Sequence, residues 1–82
     1  MNAKTLKHLE SCEIPGKPDG QTITVALVDS SQNARFIISF TGDKAEDVNL
    51  DPRTPYKVFN VGKNIATKVL NGCIYELNVS YK

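Results

Sequence analysis

The sequence predicts a mainly β domain, a small antiparallel barrel or sandwich of about five or six strands with a short N-terminal helix. Three observations predict it. Apolar side chains alternate at Ile23, Val25 and Leu27 and again at Phe36, Ile38 and Phe40, the period of two expected when one strand face is buried. Asn71-Gly72 stands between apolar runs, the preferred pair for a two-residue type I′ hairpin turn, because both central residues need positive φ. Residues 3–12 alone space Ala3, Leu6, Leu9 and Cys12 by three, which fits one face of a short helix. With 82 residues and 40% hydrophobic content, the chain reads as one domain over 1–82, since so short a chain rarely supports two cores.

In order along the chain, residues 1–14 form the helical N-terminal segment, stopped by Pro15. The run 15–20, Pro15-Gly16-Lys17-Pro18-Asp19-Gly20, packs two prolines and two glycines into six residues and reads as a mobile loop. Residues 21–82 form the barrel or sandwich. There the strand of Ile23–Leu27 meets the strand of Phe36–Phe40 across an Asp29–Asn33 turn, as an antiparallel hairpin. The polar connection from Thr41 to Pro55 is interrupted only by Val48 and Leu50, which suit a short edge strand. Tyr56–Val61 is strand-like, with a break of alternation at Asn60 that suggests a bulge. The Asn71-Gly72 turn then sets Leu70 opposite Cys73, Lys68 opposite Tyr75 and Ala66 opposite Leu77. That register puts Leu70, Cys73, Tyr75, Leu77, Val79 and Tyr81 in the core and turns Thr67, Glu76, Asn78 and Ser80 away from it.

Little in the chain suits catalysis. One histidine, His8, has no marked nucleophile beside it, and His8 with Cys12 and Cys73 offers three zinc ligands where a structural site wants four. Gly16 to Gly20 lacks the spacing of a phosphate loop, and the carboxylates of Asp43, Glu46, Asp47 and Asp51 fall in a polar connection. Asn78-Val79-Ser80 matches a glycosylation sequon but sits in a strand. The expectation is a protein without enzymatic activity, cofactor or metal. No apolar run is long enough for a membrane span or a signal peptide, which points to the cytoplasm, where both cysteines stay as thiols. Paired, they would close about sixty residues and contribute on the order of 4 kcal/mol.

Charge placement says more than the net charge of +1. Residues 41–52 set Asp43, Glu46, Asp47 and Asp51 against Lys44, whereas residues 53–82 set Arg53, Lys57, Lys63, Lys68 and Lys82 against Glu76. A basic surface with exposed aromatics suits single-stranded nucleic acid, whose phosphates need cations and whose bases stack on rings. The candidates are Lys17, Arg35, Arg53, Tyr56, Lys57, Phe59, Lys63 and Lys68.

The order of features supports the same reading. Gly16-Lys17-Pro18, then Val28-Asp29 with Val28 ten residues after the proline, then Pro55-Tyr56-Lys57-Val58, Phe59 to Gly62 and a closing strand ending in Lys82, resembles the small single-stranded-DNA-binding proteins of filamentous phages. The resemblance implies a five-stranded OB-type barrel, a homodimer, and Lys17 on the nucleic acid. Asp19, Leu27 and Ala34 stand where that family often places base-stacking tyrosines. In a phage-encoded protein the compartment would be the host cytoplasm.

A second expectation belongs to another class: a phage- or mobile-element-type protein-interaction module, a virion component or an inhibitor. It would bind its partner through an edge strand or through the acidic 43–51 segment, with Asp43, Glu46, Asp47 and Asp51. A structural β module without a ligand is the third.

Overall fold

The computed structural model describes residues 2–82, and they fold into eight strands. These are β1 (Asn2–Leu6), β2 (Ser11–Ile14), β3 (Gln21–Leu27), β4 (Ala34–Phe40), β5 (Glu46–Leu50), β6 (Tyr56–Val61), β7 (Thr67–Asn71) and β8 (Leu77–Tyr81). They make two four-stranded antiparallel sheets, ordered β1-β8-β3-β6 and β2-β7-β4-β5. Two sheets of this connectivity are a jelly roll, a double Greek key that leaves edge strands on both sides rather than closing into a barrel. The inner faces supply the core. Leu6, Ile23, Val25, Leu77 and Val79 of the first sheet pack on Ile14, Phe36, Ile38, Leu50 and Val69 of the second, all at most 1% exposed.

The alternation in 23–27 and 36–40 marks buried strand faces as expected, with Phe40 only half-buried at the end of its strand. The predicted hairpin between them does not form. β3 and β4 lie in different sheets and meet face to face across the core. A period of two reports which face is apolar and says nothing about whether the next strand lies beside it or across from it.

The N-terminal helix is replaced by β1 and β2. β1 pairs with β8, setting Leu6 opposite Leu77, and β2 pairs with β7, setting Cys12 opposite Val69. Of the four residues spaced by three, Leu6 and Cys12 are buried, while Ala3 is exposed and Leu9 is 64% exposed. Ten residues of weak helical pattern cannot outweigh two ladders with partners near the other end of the chain. Leu9 sits in the turn between the strands at φ 62°, a left-handed conformation costing about 1 kcal/mol for a residue with a Cβ. Its N–H donates to the Asn71 carbonyl at 3.0 Å, which holds it there.

Asn71 overturns the second hairpin. It is the last residue of β7 and 0% exposed, and β7 and β8 belong to opposite sheets, so Leu70 does not face Cys73. Thr67, Val69 and Asn71 point inward, and Lys68 and Leu70 point outward. Leu77 and Val79 are core residues as expected, with Tyr81 half-buried beside them. The Asn71 amide Nδ2 donates to the carbonyls of Leu6 (2.9 Å) and Tyr75 (2.8 Å), and its Oδ1 accepts from the Cys73 N–H at 2.9 Å. One side chain thereby ties β1 to the β7–β8 loop.

The short strand at Val48 and Leu50 is present as β5, at the edge of its sheet. Tyr56–Val61 is β6, and its pairing with β3 runs unbroken from Gln21↔Val61 to Ala26↔Tyr56, so there is no bulge at Asn60. Positions 56, 58 and 60 face outward while 59 and 61 face the core, in strict alternation. Residues 15–20 form a loop as predicted, docked on the β6–β7 loop through Asn64 N–H to the Lys17 carbonyl at 2.8 Å.

Candidate functional site

The candidate cations do not share a surface. Arg35 and Lys68 project from the outer face of the β2-β7-β4-β5 sheet, and Tyr56 projects from the outer face of the other. Arg53 lies in the β5–β6 loop, whereas Lys17 and Lys63 lie in two touching loops at the other end of the sandwich. Lys57 is exposed at the rim of β6. Phe59 is unavailable for stacking because its ring is packed inside, edge-on to Phe36 at 6.2 Å and tilted against Phe40 at 6.1 Å. Tyr56, 57% exposed, is the candidate aromatic with an accessible ring.

The acidic candidates, in contrast, belong to one segment at a sheet edge, with Glu46 on the inner side of β5 and Asp47 on its outer face. Asp43 lies in the β4–β5 turn, Glu46 and Asp47 open β5, and Asp51 follows its end, all four exposed. The turn is set by Asp43 N–H donating to the Phe40 carbonyl at 2.9 Å, and Gly42 takes φ +88° there. β5 has β4 on one side and no strand on the other, so its outer row of N–H and C=O groups is open to a further strand.

The four carboxylates differ in occupation. Asp51 is engaged locally: its Oδ1 accepts from Thr54 N–H (2.8 Å), Arg53 N–H (2.9 Å) and Thr54 Oγ1 (3.1 Å), closing the turn that carries Pro52. The Thr54 and Arg53 hydrogen bonds, helped by the Arg53 charge, hold its carboxyl below the usual range. Asp29 is lowered likewise by Ser31 in the β3–β4 loop. Asp47 meets Arg35 Nε at 3.7 Å with both side chains more than half exposed, a pair of little energetic weight. Asp43 and Glu46 carry no such contact among the described residues.

A pH dependence follows from Asp51 and Asp29. Their folded pKa values lie below the unfolded ones, so their stabilisation is present above the unfolded value near 3.8 and is lost as pH falls through the folded values. Thermal unfolding followed by circular dichroism is expected to be flat near neutrality and to shift downward below about pH 4. The D29A/D51A double variant is expected to show a shallower acid limb.

Beside the turn, an open cleft of about 350 Å³ is lined by Glu13, Ser39, Thr41, Asp43, Thr67 and Lys68 among others. Thr67 Oγ1 is buried there without a hydrogen-bond partner, as is Gln21 Oε1 in the same end of the sandwich. The cleft is shallow and mixed in charge. Among the described residues no three His, Cys, Asp or Glu side chains are grouped to hold a metal ion. His8 Nδ1 donates instead to the Cys73 carbonyl at 2.9 Å, fastening the β1–β2 turn to the β7–β8 loop. Burial pushes the Cys12 thiol up, against a small opposing effect of Lys4, and both cysteines are free thiols. Among the described residues no helix is long and apolar enough to cross a membrane.

Sequence reasoning found the acidic segment through its charge. It missed a second surface, the outer face of the β1-β8-β3-β6 sheet, because absence of charge at alternate positions becomes visible only once the strands are placed side by side.

No protein-family model and no curated protein matches the chain. Solved structures of similar fold include Drosophila melanogaster CENP-C bound to CAL1, with a TM-score of 0.53 at 10% identity over 94% of this chain and 56% of that one. AlgX of Pseudomonas aeruginosa gives 0.56 at 11% identity, over 98% of this chain and 25% of that one. The dTDP-4-dehydrorhamnose 3,5-epimerase of Sulfolobus tokodaii gives 0.56 at 10% identity, over 99% and 49%. The chain spans about half or less of these proteins, and at such identities the likeness to CENP-C, AlgX and the dTDP-4-dehydrorhamnose 3,5-epimerase is one of fold alone.

Proposed function

We propose that the protein is a non-enzymatic protein-interaction module that binds a basic, extended segment along β5. The observation that carries this reading is the coincidence of an open strand edge with exposed carboxylates on both of its faces. Main-chain hydrogen bonds from an added strand would supply affinity, and cationic side chains meeting Asp43, Glu46 and Asp47 would supply orientation and on-rate. Such edges are commonly blunted with lysines that repel a second strand. β5 carries none and presents carboxylates instead.

Single-stranded nucleic acid is a second reading, favoured by one observation: the loops of Lys17 and Lys63 touch, joined by the hydrogen bond from Asn64 to Lys17. Two lysines are a small footprint, since each neutralised phosphate contributes only one increment of salt-dependent affinity.

One titration separates the two. Fluorescence anisotropy with a labelled extended peptide carrying Lys at adjacent positions, so that both strand faces are cationic, is expected to show micromolar-range binding that D43N/E46Q/D47N weakens by about tenfold or more. A labelled oligo-dT run in parallel is expected to bind weakly. Tight, steeply salt-sensitive oligo-dT binding with no response to the peptide would overturn the proposal in favour of the nucleic-acid reading.

A further inference from the structure

The outer face of the β1-β8-β3-β6 sheet carries no charged residue in its interior. Strand by strand it presents Ala3 and Thr5 from β1, Asn78 and Ser80 from β8, Thr22, Thr24 and Ala26 from β3, and Tyr56, Val58 and Asn60 from β6. In a chain that is 23% charged, ten neighbouring solvent-facing positions without one charge are a departure from an ordinary solvated sheet. Tyr56 and Val58 are more than half exposed on this face, and Val28, at the end of β3, is 58% exposed at its border.

Charges reappear only where the face ends. β8 is a central strand, and its pairing with β3 continues one step beyond each end: Val28 N–H donates to the Glu76 carbonyl, and Lys82 and Thr22 exchange backbone hydrogen bonds. Glu76 and Lys82 therefore fall on the same outer face as Asn78 and Ser80, at opposite ends of the strand and equidistant from Val79. This arrangement is self-complementary. A two-fold axis lying in the plane of the face and running across the strands at Val79 lays each β8 antiparallel on the other copy's β8. Glu76 then meets the second copy's Lys82, Asn78 meets its Ser80, Ala26 meets its Thr24, and Tyr56 meets its Val58. Each contact occurs twice, as an isologous interface requires.

We propose that two copies of the chain pair face to face through this sheet. Aligned sheets pack about 10 Å apart and cross at about −30°, so the rows nearest the axis, Thr24 with Ala26 and Ser80 with Asn78, keep register best. A face of four strands about 4.8 Å apart and some six residues long covers roughly 400 Å² of plane. With side-chain relief, two such faces bury on the order of 1,000 Å², the lower end of what a specific complex uses. A dimer in the micromolar range is expected. The inference is independent of the β5 reading, since β5 lies in the opposite sheet and stays open in the pair.

Light scattering coupled to size exclusion, with sedimentation equilibrium from low to high micromolar protein, tests it. The wild-type chain is expected to shift from monomer to dimer across that range. T24K, which sets like charges against each other at the axis, is expected to raise the dimer dissociation constant at least about tenfold while leaving the circular dichroism spectrum unchanged. E76K is expected to weaken the dimer, and adding K82E to it to restore the wild-type constant, a rescue that a merely structural role for either residue would not produce. A monomer at every concentration, or a dimer indifferent to T24K and to the E76K/K82E exchange, overturns the proposal.

Discussion

Asn71→Ala is expected to lose roughly 3–5 kcal/mol of folding stability, a large share of what a domain of this size holds. The substitution removes an amide that is fully buried and makes three hydrogen bonds to main-chain groups of Leu6, Tyr75 and Cys73. Each partner left buried and unpaired costs about 1–3 kcal/mol. The Asn71 backbone is also engaged, accepting from Leu9 N–H and donating to the Glu10 carbonyl, so the loss is confined to the side chain. Asn71→Asp is the informative companion: a carboxylate keeps the acceptor for Cys73 but repels the two carbonyls that the amide satisfied. Urea denaturation is expected to show lowered midpoints for both variants. A midpoint within error of wild type for Asn71→Ala would mean the three contacts contribute nothing net.

Gly16→Ala is expected to cost about 2–3 kcal/mol through overpacking. A Cβ at this position would stand 2.6 Å from the Asn64 carbonyl carbon and 2.8 Å from the Ile65 nitrogen. Both are backbone atoms, so no side chain can swing aside and the two loops must part. That separation stretches the hydrogen bond from Asn64 N–H to the Lys17 carbonyl. Gly42→Ala supplies the control. Gly42 has φ +88° but nothing within 4 Å of the added Cβ, so only the conformational cost of about 1 kcal/mol applies. Thermal melts of the two variants side by side are expected to separate clearly. Equal losses would show that the β2–β3 loop yields freely, as its Pro and Gly content alone suggests.

These two sites show where sequence reasoning works and where it stops. The buried faces of β3, β4 and β8 were legible because alternation is a local consequence of the pleat. So was β5, as a short strand in a polar connection. Strand partnership was not legible, because of all the pairings only β4 with β5 joins strands adjacent in the chain. Asn71-Gly72 has the composition of a tight hairpin and serves instead as an internal strut, since the side chain that favours positive φ also carries the donors and acceptor that the distant Leu6 carbonyl and the nearby Cys73 and Tyr75 main-chain groups need. At the candidate site the carboxylates were read from charge alone, but their difference in occupation, with Asp51 tied to Thr54 and Asp43 left open, depends on loop geometry. The cations failed to converge because Lys68 and Arg35 project from the outer face of one sheet, Lys17 and Lys63 lie in loops at one end of the sandwich and Arg53 lies in a loop at the other.

The pairing of β1 with β8 bears on time as well as form. The first strand of the described chain completes its ladder only with the last, Asn2 against Tyr81 and Leu6 against Leu77. During synthesis β1 emerges before the other seven strands and stays unpaired until β8 has been made. The loop to be closed runs from Leu6 to Leu77, and non-local sheets of this kind fold on the order of milliseconds to seconds rather than microseconds. Until β8 arrives, β3 also lacks one of its two neighbours. A nascent chain in which β8 has not yet been made is therefore a half-built sheet with apolar faces on view, open to capture or aggregation in a way the finished fold is not.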